Sequence, residues 1–304
     1  MPLVPIASFR QRGFTLVEAV MVIVIVGVLS GMLAVFIRAP VQSYADSLAR
    51  AELTDTADLA LRRMARDLRL ALPNSIRVNP AGDAIEMLLT RTGGRYLAAE
   101  DGVDNLPVLD FIDPANTSLT VVGALPGPGQ LTPGRDYLVV YNLGPGIEPA
   151  NAYDLSSPQR NIAQVASVDA ARNVLVLADN PFATQLPPLP SPTQRFQIVS
   201  GAVTYSCVLE PDGTTRLLTR QWGYPITSAQ SGDPVRTSGS GQRSPLAGRV
   251  KSCRFDYQSL ASQRSALVIL AVELQPRLPA GRQPGSSTDA TVRLVHQVHV
   301  GNTP

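Results

Sequence analysis

The apolar sequence GFTLVEAVMVIVIVGVLSGMLAVFI fills residues 13–37, close to the amino terminus. Its last 24 residues contain a single ionisable side chain, Glu18. At a rise of about 1.5 Å per residue, a helix over residues 14–37 is roughly 36 Å long, which exceeds a hydrocarbon core of about 30 Å. The sequence therefore predicts a membrane-spanning helix over residues 14–37.

The residues before this helix predict its orientation. Arg10 and Arg12 are the only charged residues in 1–13, and cationic flanks stay on the cytoplasmic side of a membrane. We therefore expect a single-pass membrane protein whose residues after Ile37 lie outside the cytoplasm. A cleaved secretory signal peptide fits poorly, because the apolar run is too long and no small-x-small site closes it. A plain signal anchor explains every feature except Glu18.

A charged Glu18 side chain is energetically unfavourable at this position in the apolar segment. A carboxylate within an apolar span costs about 2.5–3.5 kcal/mol of insertion free energy unless it finds a partner. One interpretation is a side chain that extends to the nearby lipid headgroups. The other is that Glu18 has a charged partner inside the membrane.

The sequence GFTLVE of residues 13–18, behind a short basic leader, resembles the class III signal of type IV pilins and pseudopilins. This resemblance implies cleavage between Gly13 and Phe14 by a prepilin peptidase, followed by N-methylation of Phe14. Glu18 becomes the fifth residue of the mature chain, where the family places its acid. The carboxylate can then neutralise the amine of Phe14 in an adjoining subunit and fix the axial register. The implied partners are other minor and major pilins and the inner-membrane assembly platform.

A second helical pattern follows the apolar segment. Residues 43–72 contain neither Gly nor Pro, so we predict a spine helix over residues 38–72, with a kink at Pro40 and an end at Pro73. Apolar residues recur on one face, at Leu61, Met64, Leu68 and Leu72. The opposite positions carry charged residues that we expect to be solvated: Arg62, Arg63, Arg66, Asp67 and Arg69.

Beyond Pro73 the pattern changes to short extended segments separated by Gly, Pro, Asn and Asp. Candidate strands are 84–90, 119–124, 136–142, 162–168, 173–177, 195–199, 203–209, 215–222, 250–257, 266–274 and 290–299. The stretch 227–243 is predicted to be a loop. We expect an α+β fold in which the spine helix packs on a mostly antiparallel β-sheet. The predicted organisation is a leader (1–13), a transmembrane helix (14–37), a spine helix (38–72) and a periplasmic head (73–304).

The two cysteines, Cys207 and Cys253, fall in or beside predicted strands. In the oxidising periplasm they can form a disulfide that closes a loop of about 47 residues. Two buried free thiols are the alternative, since spacing alone does not settle the geometry.

The composition offers few residues for catalysis or metal binding. With two His and two Cys, the chain cannot build a three-histidine zinc site, a four-cysteine zinc site or an iron–sulfur cluster. A net charge of +2 argues against a nucleic-acid partner. His296 and His299 have opposite parity in a predicted strand, so we expect them on opposite faces. We therefore expect no enzyme activity, metal or cofactor.

Further segments are similar to one group of minor pilins, which contains the MSHA biogenesis protein MshO. They are residues 50–78, 93–96, 136–144 and 292–304, the first being partly shared with type II secretion pseudopilin J and minor pilin W. The resemblance implies a minor pilin that initiates or caps an MSHA-type pilus. Two alternatives stay open: a pseudopilin J-like subunit of a type II secretion system, and a membrane-anchored periplasmic enzyme or binding module.

Overall fold

The computed structural model describes residues 13, 15–101, 105–127, 129–209, 213, 216–258, 264–276 and 291–304. The chain divides into two units, Met1–Ala51 and Glu52–Pro304. An apolar helix is followed by a mostly antiparallel β-sheet domain, which confirms the predicted α+β class.

Helix α1 runs from Leu16 to Arg69 and is unbroken at Pro40. It ends three residues before the expected end at Leu72, because the sheet competes for the backbone there. The N–H of Leu72 donates to the Leu88 carbonyl over 2.8 Å, and the Leu70 carbonyl accepts from the N–H of Thr90 over 2.8 Å. Residues 70–72 therefore pair with a strand rather than extend the helix.

The first unit contains the membrane-length segment. Residues Leu16–Ile37 have a mean hydropathy of 3.0 and are wholly exposed in the isolated chain. Gly27 and Gly31, four residues apart, leave open space where a Cβ would stand. Small residues at this spacing let a second helix approach closely.

In the second unit, residues 52–69 of α1 bury one apolar face against the sheet. The buried positions follow helical spacing: Leu53, Ala57, Ala60, Leu61, Met64, Ala65 and Leu68. Burying such side chains contributes roughly 1.5–3 kcal/mol for each large one. The arginines at 62, 63, 66 and 69 are exposed as expected, whereas Asp67 is only 4% exposed. The prediction of a solvated face was therefore wrong at Asp67.

Within the described residues, the sheet contains eleven strands: β1 (Arg77–Val78), β2 (Ala84–Tyr96), β3 (Ser118–Val122), β4 (Tyr137–Val139), β5 (Ile162–Asp169), β6 (Val174–Leu177), β7 (Arg195–Leu209), β8 (Arg216–Trp222), β9 (Gln242–Gln258), β10 (Ser265–Leu274) and β11 (Val292–Gly301). Its order is β1-β2-β3-β6-β5-β4-β7-β8-β9-β10-β11, and every pairing is antiparallel. Because β2 also pairs with β7, strands β2, β3, β6, β5, β4 and β7 close a ring. The ring has a core of its own around Leu138, Phe182 and Phe196.

Glycine lets the long strands β2 and β7 lie against each other. A Cβ on Gly93 would stand 2.9 Å from the Phe196 carbonyl oxygen, and one on Gly94 would stand 2.7 Å from the Phe196 ring. Without these glycines, β2 could not continue beside β7 to Tyr96. The segments 195–199 and 203–209, predicted as two strands, accordingly form the single strand β7.

The stretch 227–243, predicted as a loop, contains the short helix α2 (Pro234–Ser238) and the start of β9. The Asp233 carboxylate caps α2 by accepting from the N–H of Arg236. Residues 242–245 of β9 pair with β8. A capping pair and a neighbouring strand therefore order a segment whose composition is that of a loop.

A disulfide joins Cys207 on β7 to Cys253 on β9, with 6.2 Å between their Cα atoms. These strands are not neighbours in the sheet order, since β8 lies between them. The bond therefore connects two strands that have no backbone ladder in common.

Two buried charge clusters fix loops and helix to the sheet. Asp67 on α1 accepts from the Tyr205 hydroxyl (2.7 Å) and from the Nε atom of Arg220 (2.8 Å). In the second cluster, Arg77 pairs with Glu86 over 2.8 Å and its guanidinium lies 3.7 Å from the Tyr153 ring centroid.

The Arg77 guanidinium also donates to the carbonyls of Thr227 and Ser228, at 2.8 and 2.6 Å. It thereby ties the segment that follows β8 to the strand pair β1–β2. The Glu86 side chain is 3% exposed, and burial raises its pKa although the nearby Arg77 opposes the shift.

Removing the disulfide should destabilise the head. We expect the Cys207→Ala/Cys253→Ala variant to lose about 4 kcal/mol of unfolding free energy, because the unfolded chain gains the entropy of an open loop. Urea unfolding of the detergent-solubilised chain, followed by the fluorescence of Trp222, measures the loss. A loss below about 1 kcal/mol would show that the bond contributes little constraint.

The raised pKa of Glu86 predicts a pH dependence of stability. Its folded-state pKa lies above its unfolded value, so the native state binds a proton first as the pH falls. The destabilisation caused by the buried charge is therefore present above the folded pKa and absent below the unfolded pKa. Compared with Glu86→Gln, the native chain should gain unfolding free energy between about pH 7 and pH 4. A parallel pH dependence of both proteins contradicts this assignment.

Candidate functional site at the amino terminus

The first turn of α1 is built around Thr15 and Glu18. The N–H of Glu18 donates to Oγ1 of Thr15 over 3.3 Å, and the N–H of Ala19 donates to the Thr15 carbonyl over 3.1 Å. Thr15 therefore occupies the N-cap position, and its hydroxyl satisfies a backbone donor that has no partner within the helix. In an apolar surrounding, such a donor is expensive to leave unpaired.

Glu18 lies in the same turn, where the aligned peptide dipoles favour a negative charge. Its side chain is exposed in the isolated chain, and so are its apolar neighbours Leu16 (81%) and Val17 (64%). Among the described residues, no ion pair involves Glu18. The carboxylate is thus presented beside an apolar surface and available to an external cation.

Of the predicted processing residues, Gly13 is described and exposed, with no atom within 4 Å of a Cβ built on it. Phe14 lies outside the described residues. The Gly13–Phe14 cleavage and the methylation of Phe14 therefore remain predictions.

The other residues singled out from the sequence lie in the head. Cys207 and Cys253 join strands and touch no candidate site. His296 is half-buried and His299 exposed, which agrees with opposite faces of β11. Within the described part of the chain, no three His, Cys, Asp or Glu side chains form a potential metal site.

The role of Thr15 was not predicted from the sequence. Its signal is local: Thr15 and Glu18 form the T-x-x-E pattern of a capping box, in which a hydroxyl residue precedes an acid by three positions. The resemblance in residues 13–18 predicts a cleavage site and a role for Glu18. The capping pattern explains how the same residues start the helix.

The capping role of Thr15 predicts a local effect. Thr15→Val keeps the side-chain shape but removes the acceptor, so the amide of Glu18 should exchange with solvent deuterium about fivefold faster, corresponding to about 1 kcal/mol. Thr15→Ser retains the hydroxyl and serves as the matched control. Equal exchange in both detergent-solubilised variants would exclude a capping contribution.

Comparison with known proteins supports the amino-terminal site. Residues 8–34 match the family model of the prokaryotic N-terminal methylation motif. No curated protein and no solved structure matches the chain. The match includes Gly13, Phe14 and Glu18, together with the first part of the membrane-length helix. The chain therefore carries a type IV pilin-like methylation signal, which is typical of pilins and pseudopilins.

Proposed function

We propose that this chain is a minor pilin of an MSHA-type type IV pilus system, which initiates or caps assembly through helix packing with other pilins. The observation that carries the proposal is an acid at Glu18, five positions after the cleavage glycine, at the start of a membrane-length apolar helix. A helix used only as an anchor has no need of a carboxylate in this position.

The proposed mechanism follows from charge neutralisation. Cleavage after Gly13 creates an amine on Phe14, whose positive charge is unfavourable beside hydrocarbon. The carboxylate of Glu18 in one subunit pairs with this amine in the next, and a subunit in the wrong axial position leaves both charges unpaired. Gly27 and Gly31 provide a face on which another apolar helix can approach.

The size of the head supports a minor rather than a bulk subunit. The mature chain has about 290 residues, most of them in the unit Glu52–Pro304. Large heads occur in minor pilins, which are present in few copies. The MSHA assignment rests on the similar segments 50–78, 93–96, 136–144 and 292–304. The proposal gives the head no catalytic step and no cofactor.

A pseudopilin J-like role in type II secretion is the second candidate, because residues 50–78 are similar to both groups. Both candidates use the same helix and the same charge pairing. Deletion in the native host separates them: loss of surface pili with normal export supports the MSHA-type minor pilin, and loss of export with normal pili supports the pseudopilin.

The first experiment is the intact mass and the amino-terminal fragment spectrum of the protein from its native membrane. We expect a chain that begins at Phe14 and is heavier by one methyl group. A chain that still carries residues 1–13 in the presence of the peptidase would contradict the proposal and leave a membrane-anchored enzyme or binding module.

Substitution of Glu18 tests the mechanism. Glu18→Ala should keep leader cleavage but lower the assembled fraction at least about tenfold, because an unpaired charge in a low-dielectric site costs several kcal/mol. Glu18→Asp retains the charge, and Glu100→Ala removes an exposed acid from the head as a control. Assembly that is unchanged in Glu18→Ala would contradict the charge-pairing mechanism.

A further inference from the structure

Strand β11 (Val292–Gly301) is an open edge of the sheet. Among the described residues it pairs only with β10, through ten consecutive residue pairs without a register shift. In an antiparallel edge strand, every second residue directs its N–H and C=O away from the sheet. An edge of ten residues is about 33 Å long and can accept a further strand.

This edge has few of the features that usually prevent further pairing, and the exposed Arg293 is the one Arg, Lys, Asp or Glu in the strand. Its sequence, VRLVHQVHVG, contains no Pro, Lys or acid, and the pairing has no bulge. The opposite edge of the sheet, β1, has only two residues. Long, regular edges are prone to pair with other chains unless they are covered. The β1 edge is therefore short, whereas the β11 edge is long enough to pair with a strand of a partner.

A basic groove runs beside this edge. It has a volume of about 550 Å³, and its charged and titratable lining residues are Asp58, Arg62, Arg66 and Arg69 of α1 and His296 of β11. Arg62 pairs with Asp58 over 2.7 Å. Within the described part of the chain, Arg66 and Arg69 take part in no ion pair. Two of the three arginines in the groove therefore have no acidic partner among the described residues.

We propose that β11 and the flank of α1 formed by Arg66 and Arg69 together bind an extended acidic segment of a partner protein, which adds as a strand to the β11 edge. The backbone groups of β11 provide the pairing, and the arginines select acidic side chains. The inference goes beyond the proposed function and does not depend on it.

The spacing of the two elements fits this ligand. Alternate residues of an added strand point to the same face and lie about 6.7 Å apart. Arg66 and Arg69 are separated by three residues of helix, or about 4.5 Å along its axis, and their long side chains can span the remaining difference. Acidic residues at alternate positions of the added strand can therefore meet successive arginines. The outer face of β11, which includes the 55% exposed Val295, favours β-branched side chains between the acids.

The test uses the full-length mature chain in detergent and two synthetic ten-residue peptides. One alternates Glu with Thr and Val, and the other has Lys in place of each Glu. We expect the acidic peptide to bind at least about tenfold more tightly and to protect outward-facing amides of β11 from hydrogen exchange. Equal affinities, or no protection of β11 at saturation or at the solubility limit of the acidic peptide, would overturn the proposal.

Charge-reversal variants distinguish peptide binding in the groove from general electrostatic attraction to the protein. Arg66→Glu/Arg69→Glu should reduce acidic-peptide affinity about tenfold. Arg135→Glu/Arg172→Glu makes the same charge change at exposed residues outside this groove and should leave affinity unchanged. Equal losses in both variants would overturn the proposal. Binding of a short DNA duplex that requires Arg66 and Arg69, without peptide protection of β11, would also overturn it.

Discussion

The fold of the head depends on the burial of one face of α1 against the sheet, with a carboxylate inside the contact. Asp67 interrupts an otherwise apolar helix face and is paired with Tyr205 of β7 and Arg220 of β8. Apolar packing alone tolerates small rotations and shifts of a helix. A buried charge does not, because any displacement leaves it without its partners. Asp67 therefore defines the position in which residues 52–69 lie on the strands.

Strand β7 connects the core beneath α1 with the rest of the head. Its carboxyl-terminal half contributes Tyr205 and Cys207 to the core beneath α1, and its amino-terminal half contributes Phe196 and Ile198 to the core of the strand ring. One strand thus belongs to two apolar cores. Gly93 and Gly94 let the last part of β2 lie against Phe196 of β7.

Features that depend on local patterns were predicted from the sequence, whereas those that depend on distant pairing, apart from the possible Cys207–Cys253 bond, were missed. The apolar helix, the α+β class and most strands follow from periodicity and punctuation. The helix end at Arg69 does not, because it reflects pairing of Leu70 and Leu72 with β2. The buried role of Asp67 depends on residues more than 130 positions away. At the amino terminus the motif is contiguous, so its candidate residues were identified directly, and only the capping role of Thr15 was overlooked.

The disulfide between β7 and β9 also has a mechanical consequence. When a protein is pulled, its chain lengthens by the contour length of the segments that unfold. The 46-residue separation between Cys207 and Cys253 corresponds to about 150 Å of extended chain. A covalent bond across this loop removes that length from any extension, since tension passes through the sulfur atoms and bypasses β8 and the first half of β9. Under load, residues 208–252 therefore add no length to the chain until the disulfide breaks.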